Sequence, residues 1–393
     1  MTPHEREQGT RTRPDPLGDV RIGQVRSRTS LKWRFHPPDV LPLWVAEMDV
    51  LLAAPVAAAL HDAVTRGDTG YAHGDDLARA FAGFARRRWG WEVDVARTAL
   101  VPDVMTGVVE ALRLVSGPGA AVVVNTPVYP PFRAFAERSG HRVVDVPLTA
   151  AGRLDLPALE AAYARERARG EVVHLLCNPQ NPTGTVHTAA ELTALAELAA
   201  ARGVRVVADE VHAPLADPAA GFAPYLAHDP TGLGTALTSA SKGWNLAGVP
   251  AALLLAGPAA AGDLARLPEE AGHGVAHLGV LAHAAAFRAG GEWLDGLLDG
   301  LARRRALLDA LLAEHLPAVR RAPSRATYLA WLDCRDLGLG DDPARVLLER
   351  GRVALSAGHE FGPAGRGFAR LNLATGEDVL TEAVRRMAAA LDG

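Results

Sequence analysis

Of the 41 basic residues in this chain of 393, only Lys32 and Lys242 are lysines; the others are arginines. A lysine kept in so Arg-biased a sequence points to a task that guanidinium cannot perform. Imine formation is one: an amine of lowered pKa attacks a carbonyl, whereas guanidinium stays protonated. The plain alternative is that codon bias left two lysines at arbitrary positions. Lys242 lies in the run Ser239-Ala240-Ser241-Lys242-Gly243-Trp244-Asn245, just after a β-prone stretch at 235–238. A strand end entering a polar turn is where α/β enzymes place reactive groups. Two hydroxyls flanking a lysine can hold an anion such as phosphate while the amine reacts.

Two further loops carry chemistry. In Cys177-Asn178-Pro179-Gln180-Asn181-Pro182-Thr183-Gly184, two Asn-Pro pairs and a glycine restrict the backbone and display Asn amides at a strand terminus. The other loop, Asp209-Glu210-Val211-His212, follows the β-prone run 205–208. A carboxylate at the end of a buried strand is costly unless it meets a cation. Metal binding is the rival reading of that loop, but its spacing is not the His-Glu-x-x-His of a zinc-protease helix. His273 and His277 share a helix face without a carboxylate site evident beside them.

Positioning these loops requires a particular frame. Strand-like runs fall at 121–125, 142–146, 172–177, 205–208, 236–238 and 251–256, with helix-like runs at 104–115, 131–139, 156–169, 189–202 and 275–289. Buried apolar strands alternating with helices predict a mostly parallel sheet covered on both faces. The large α/β domain is therefore expected at 50–290. After residue 291 come a long helical stretch at 292–314, strand-like runs at 327–332 and 368–373, a helix at 343–350, and a terminal helix from Asp378. That describes a smaller α+β domain at 291–393. The N-terminal segment, 1–49, is expected to pack partly against it, since chain ends often meet. The glycines Gly362, Gly365 and Gly367 echo a dinucleotide loop but lack the strand before and helix after, and read as a turn.

Composition narrows the classes. A hydrophobic content of 49% with 22% charged residues fits a globular protein that buries a large core. The net charge of −4, without a basic stripe interleaved with aromatics, speaks against nucleic acid as a partner. Arg86-Arg87-Arg88 and Arg303-Arg304-Arg305 read as solvated helix faces. Cys177 and Cys334 read as buried free thiols, which favours a reducing cytoplasm. Residues 1–19 are polar, lack the apolar core of a signal peptide, and read as a loose arm. No apolar run is long enough to span a bilayer.

Taken together the three loops resemble the fold-type I pyridoxal-phosphate enzymes of the aminotransferase class I and II superfamily. The resemblance narrows to the MalY/PatB branch, the cystathionine β-lyase-like C–S lyases. It is carried by Ser30-Leu31-Lys32-Trp33, by Leu43-Trp44-Val45-Ala46-Glu47-Met48-Asp49 and by the Asn-Pro-Gln-Asn-Pro-Thr-Gly loop. It is carried also by Asp-Glu-Val-His, by Ala326-Thr327-Tyr328-Leu329-Ala330-Trp331-Leu332-Asp333 and by Gly367-Phe368-Ala369-Arg370-Leu371-Asn372. It runs from about Arg28 to the C-terminus and implies a seven-stranded, mostly parallel sheet in the large domain and a homodimer.

The resemblance also implies roles. Lys242 would carry pyridoxal 5'-phosphate as a Schiff base and move the Cα proton. Asp209 would pair with the pyridine nitrogen and keep the ring electron-accepting. Asn181 would bond the ring's phenolic oxygen, with His212 beside it, where aminotransferases often have Tyr. Tyr129 would stack on the ring. The backbone N–H groups of Val104 and Met105, opening a helix, would cradle the phosphate, with hydroxyls from Ser239 and Ser241 and with Tyr71 reaching over from the partner subunit. Arg370, with Asn181, would grip the substrate carboxylate.

Two departures qualify the resemblance. Pro250 stands where the superfamily often has Arg or Lys, so phosphate must be held by dipoles and hydroxyls. Gly243-Trp244 replaces a common Thr-Phe or Ser-Phe pair. Lys32 lies in a shared motif without a chemical role of its own. The implied activity is β-elimination from cystathionine or another S-substituted cysteine to a thiol, pyruvate and ammonia. An aminotransferase uses the same core. An oxidative or decarboxylating variant acting on a cysteine conjugate is a third enzyme reading, and a catalytically silent binding protein a fourth, opposed by the intact Lys, Asp, Asn and Arg set.

Overall fold

The computed structural model describes residues 15–391. Its strands are β1 (Leu41–Pro42), β2 (Thr98–Val101), β3 (Ala121–Thr126), β4 (Arg142–Pro147), β5 (Val172–Cys177), β6 (Arg205–Asp209), β7 (Thr235–Thr238) and β8 (Ala252–Ala256). Then follow β9 (Arg320–Arg321), β10 (Leu329–Asp333), β11 (Val353–Ala354), β12 (Ser356–Ala357) and β13 (Phe368–Asn372). Val122 and Val124 of β3 pack into one layer with Val108, Leu112 and Phe132. Val123 packs into the opposite layer with Leu159, Leu192 and Leu195. Both faces of the strand are thus buried, which explains why β3 and β5 read as nearly unbroken apolar runs.

The seven-stranded sheet has the order β2-β8-β7-β6-β5-β3-β4. β3, β4, β5, β6 and β7 pair parallel. β8 alone opposes its neighbours β2 and β7. The connection from β7 to β8 contains no helix long enough for a parallel crossover, so the chain doubles back. As a result the Lys242 loop is tethered at both ends to adjacent strands. The carboxyl ends of β2, β3, β5, β6 and β7 meet on one side of the sheet, the place where open α/β sheets bind ligands.

The β2 end leads into the helix Val104–Val115. Asp103 caps it, accepting from the Thr106 N–H at 2.9 Å and the Thr106 hydroxyl at 2.7 Å. Gly107 lets this helix lie close on the sheet: a Cβ there would come within 2.7 Å of Leu237 and 2.8 Å of Val101.

The C-terminal part forms an antiparallel sheet, β12-β13-β10-β9, with the helices Gly291–His315 and Glu377–Ala389 packed together. β1 pairs in parallel with β11, joining residues more than 300 positions apart. Two helices not picked out in the sequence, Ala54–Arg66 and Asp76–Trp89, lie against the helix His277–Ala289. Expected helix ends shift by one or two residues, where the last turns fray.

Two expectations change. Arg304 and Arg305 are buried, not solvated: Arg304 Nε donates to the Thr375 carbonyl at 2.9 Å, and Arg305 to that of Thr327 at 2.7 Å. Three consecutive helix residues span roughly 200° of the circumference and do not all share one solvated face. The expected loose arm is also docked at its end, with Leu17 in the core; the first fourteen residues lie outside the described ones. The glycine-rich segment forms two short 3-10 turns, Gly358–Phe361 and Pro363–Gly365. No helix among the described residues is long and apolar enough to cross a membrane.

Candidate active site

A cleft of about 270 Å³ opens at the carboxyl ends of the central strands. Nine expected residues line it: Val104, Met105, Tyr129, Asn181, Asp209, His212, Ser239, Ser241 and Lys242. At one end is the first turn of the Val104–Val115 helix, whose leading N–H groups have no intrahelical acceptor and carry the positive end of the dipole. Toward the sheet lies Asp209, the last residue of β6. Its Oδ1 accepts from the Val211 N–H at 3.0 Å. Burial raises its pKa to about 6, opposed by that hydrogen bond and by Lys242.

Lys242 is half-buried between these ends. Burial first, and then the Arg370 guanidinium, lower its pKa to about 8, while Asp209 and Glu47 pull the other way. Such an amine is partly neutral near physiological pH, as nucleophilic attack requires. Its Nζ donates to the Ala46 carbonyl at 3.1 Å. The Tyr328 hydroxyl donates to the same oxygen at 3.0 Å.

Ala46 belongs to a strap, residues 44–49, whose backbone oxygens serve the site in turn. The Trp44 carbonyl accepts from Arg370 Nη2 at 2.8 Å. Asn372 Nδ2 donates to the carbonyls of Val45 at 2.8 Å and Glu47 at 2.6 Å. Asn245 holds Met48 at both ends, accepting from its N–H at 2.8 Å and donating to its carbonyl at 3.0 Å. Asn245 does so from a left-handed backbone, φ 59°, a conformation its short amide tolerates.

Arg370, on β13, is buried beside the cleft. Its Nη1 donates to Asn181 Oδ1 at 3.1 Å and its Nη2 also to the Ser356 hydroxyl at 3.0 Å. The guanidinium lies over the Phe361 ring, 4.9 Å from its centre. Its Nε is buried without a hydrogen-bond partner, as is Nδ1 of His212. Burial, with the nearby cations Lys242 and Arg370, holds His212 well below its ordinary pKa, so the ring is neutral.

Ser239 departs from its expected role. Its hydroxyl donates to the Ala251 carbonyl at 2.8 Å and accepts from the Ser241 N–H at 3.1 Å. Its proton is thus engaged within the loop, and Ser241 is the freer hydroxyl at the cleft. Pro250 lines the wall and brings no charge. Tyr71 is 87% exposed and lies outside this cleft, in a separate hollow with His73 and Glu269. Sequence reasoning gave no role to Tyr328, Asn245, Asn372 or Phe361. The first three sit inside the motifs that carried the resemblance, and that membership was the signal available.

The arrangement fits pyridoxal phosphate. The helix N-terminus at Val104 could hold the phosphate, the buried Asp209 carboxylate could meet the ring nitrogen, and the Lys242 amine could bond the aldehyde. The unpartnered His212 Nδ1 and Arg370 Nε offer unused polar atoms where ring oxygen and substrate carboxylate would lie.

Comparisons with known proteins agree. The aminotransferase class I and II family profile matches residues 39–387. A Mycobacterium tuberculosis protein named "Putative cystathionine beta-lyase" is 54% identical over 401 residues, covering 96% of this chain and 98% of its own. The cystathionine beta-lyase of Corynebacterium glutamicum is 34% identical, with coverage of 94% and 99%. A crystal structure described as a "putative plp-dependent beta-cystathionase" from Corynebacterium diphtheriae superposes with a TM-score of 0.89 at 33% identity, covering 95% of this chain and 98% of that one. With its strand order, its lysine loop and this kinship over nearly its whole length, the chain belongs to the aminotransferase class I and II family of pyridoxal-phosphate enzymes, on its cystathionine β-lyase branch.

Proposed function

We propose that the protein cleaves the Cβ–S bond of cystathionine or another S-substituted cysteine, releasing a thiol, pyruvate and ammonia. The observation that carries the pyridoxal-phosphate chemistry is the meeting of an amine, Lys242, and a buried guanidinium, Arg370, on one backbone strap; an aminotransferase would share it. The relatives named for this activity support it.

Bound at Lys242, pyridoxal phosphate supplies an electron sink for the carbon next to the substrate amine. The protein's residues do the rest. Val104 and Met105 N–H groups and the Ser241 hydroxyl would hold the phosphate. Asp209 would keep a proton on the ring nitrogen. Asn181, whose Oδ1 is taken by Arg370, would offer its Nδ2 to the ring oxygen, beside a neutral His212. Tyr129 would cover one ring face. Arg370 docks the α-carboxylate through Nε and its remaining Nη1 proton. Lys242 Nζ would take the Cα proton, and the bond broken would be Cβ–S, with the sulfur released as the thiol.

We also propose a homodimer, in a cytoplasmic setting that two unpaired buried cysteines favour. Leu31, Phe35, Leu51, Leu52, Val64 and Tyr71 are large side chains left in solvent, apolar surface that a second copy would cover. Within each chain, residues 50–290 and 291–393 are proposed as the large and small domains, with 1–49 as an N-terminal arm and part of the small domain.

The deciding experiment is a product assay on several S-substituted cysteines, with and without added pyruvate or 2-oxoglutarate. Pyruvate and free thiol formed without any keto acid is the expected result. A strict requirement for the keto acid would make the protein an aminotransferase.

A further inference from the structure

Lys32 is the lysine that the reading above leaves without a task. It belongs to the four-residue helix Leu31–Arg34, yet its side chain is 0% exposed. Its ammonium lies 2.8 Å from Asp49 Oδ2 and donates to the Glu47 carbonyl at 3.1 Å. Its neighbours hold the same strap. Trp33 Nε1 donates to Asp49 Oδ1 at 3.0 Å, the Ser30 hydroxyl donates to the Glu47 carboxylate, and Arg28 donates to the carbonyls of Met48 and Val50.

The next carbonyl back along the strap, that of Ala46, is the one that receives Lys242. The only two lysines of the chain therefore take the oxygens of consecutive residues. Stability alone is a poor reason for this arrangement, since a buried ion pair is often no better than apolar residues of equal volume. A guanidinium is a poor substitute, because its planar fork is larger than the point-like ammonium that meets Glu47 and Asp49. That accounts for a second lysine surviving among arginines.

We propose that Lys32 is a positioning residue for Lys242: by holding the Glu47 carbonyl and the Asp49 carboxylate, it fixes the strap so that the Ala46 carbonyl meets the catalytic amine. The inference rests on Lys242 being the amine that carries the cofactor.

The charged groups that face Lys242 are Arg370, Asp209 and Glu47, so the test uses variants that leave the local net charge unchanged. Lys32→Arg keeps the cation but not its shape. The double variant Lys32→Met with Asp49→Leu removes both charges together. In the holoenzyme of each, the pH titration of the visible cofactor band is expected to shift its midpoint by about one unit. Turnover should fall roughly tenfold to a hundredfold, with KM moving less than kcat. Variants that fold and titrate with the wild-type midpoint and wild-type kcat overturn the proposal. Should neither fold, Asn245→Gly reads the same strap, since glycine keeps the left-handed backbone and loses only the two bonds to Met48. A shifted midpoint there supports the proposal and an unchanged one overturns it. Persistence of the wild-type visible band in Lys242→Ala would instead sink the assignment of Lys242 itself.

Discussion

Arg370 and Asn181 meet across the two parts of the molecule, Nη1 to Oδ1 at 3.1 Å. One comes from β13 of the C-terminal sheet and the other from the loop after β5. The contact fixes the orientation of the Asn181 amide, because its oxygen is occupied and only its nitrogen remains to face the cleft. It also ties the proposed carboxylate grip to the proposed ring contact.

That tie makes Asn181→Asp more harmful than a change of one atom suggests. The new carboxylate would pair with Arg370 and compete with the substrate carboxylate. KM is expected to rise roughly tenfold or more. Steady-state kinetics with a fixed S-substituted cysteine checks this; an unchanged KM would detach Asn181 from the substrate.

Lys242→Ala should abolish the visible cofactor band and lower turnover by roughly a thousandfold or more, since it removes both the anchoring amine and the base. Absorbance and pyruvate release are the measurements. Full activity in this variant ends the assignment.

Phe361→Leu should loosen Arg370 without altering the amine. A partly desolvated cation–π contact is worth about 1–2 kcal/mol, so KM should rise roughly fivefold to thirtyfold while kcat holds. A fall in kcat with KM unchanged would contradict this.

The pH dependence of stability carries a sign that can be checked. Asp209 has its folded pKa raised to about 6, above the unfolded value. The native cofactor-free protein therefore binds more protons than the unfolded chain in that interval, and stability from this group falls as pH rises from about 4 to about 6. The buried His174, His187 and His283 are lowered to about 3, about 3 and about 4 and act in the opposite sense. The difference between Asp209→Asn and wild type isolates the carboxylate. The variant should gain on the wild type by about 2–3 kcal/mol across that interval in denaturant titrations of the apoprotein. A pH-independent difference would show that Asp209 is not buried as described.

Complementation tests the dimer. Tyr71→Ala and Lys242→Ala, each inactive or impaired alone, should regain about a quarter of wild-type activity when mixed and reassociated, because half the dimers are mixed and each holds one complete site. The complete site would pair an intact Lys242 with the partner's Tyr71. Absence of any recovery, or a monomer in sedimentation, would contradict the proposal.

Much of this was legible in the sequence for a physical reason. Strands buried on both faces leave apolar runs that stand out, and their parallel pairing sends their carboxyl ends to one side. Asn181, Asp209 and Lys242 could thus be placed together before any coordinates. Three things were hidden. The reversed strand β8 depends on a connection whose path no pattern encodes. Arg304 and Arg305 looked solvated because a run of charge does not reveal which residues turn inward. The strap acts through backbone oxygens, and Ala46 has a side chain that says nothing of the carbonyl it offers.

The parallel pairing of β1 with β11 adds a temporal constraint. Ala46 is anchored within a few residues of a ribbon whose second half appears only after residue 350, and Arg370 comes later still. A growing polypeptide that has already made Lys242 lacks both the latch on its acceptor and the grip for its substrate. Assembly of the complete site is thereby withheld until synthesis is nearly finished.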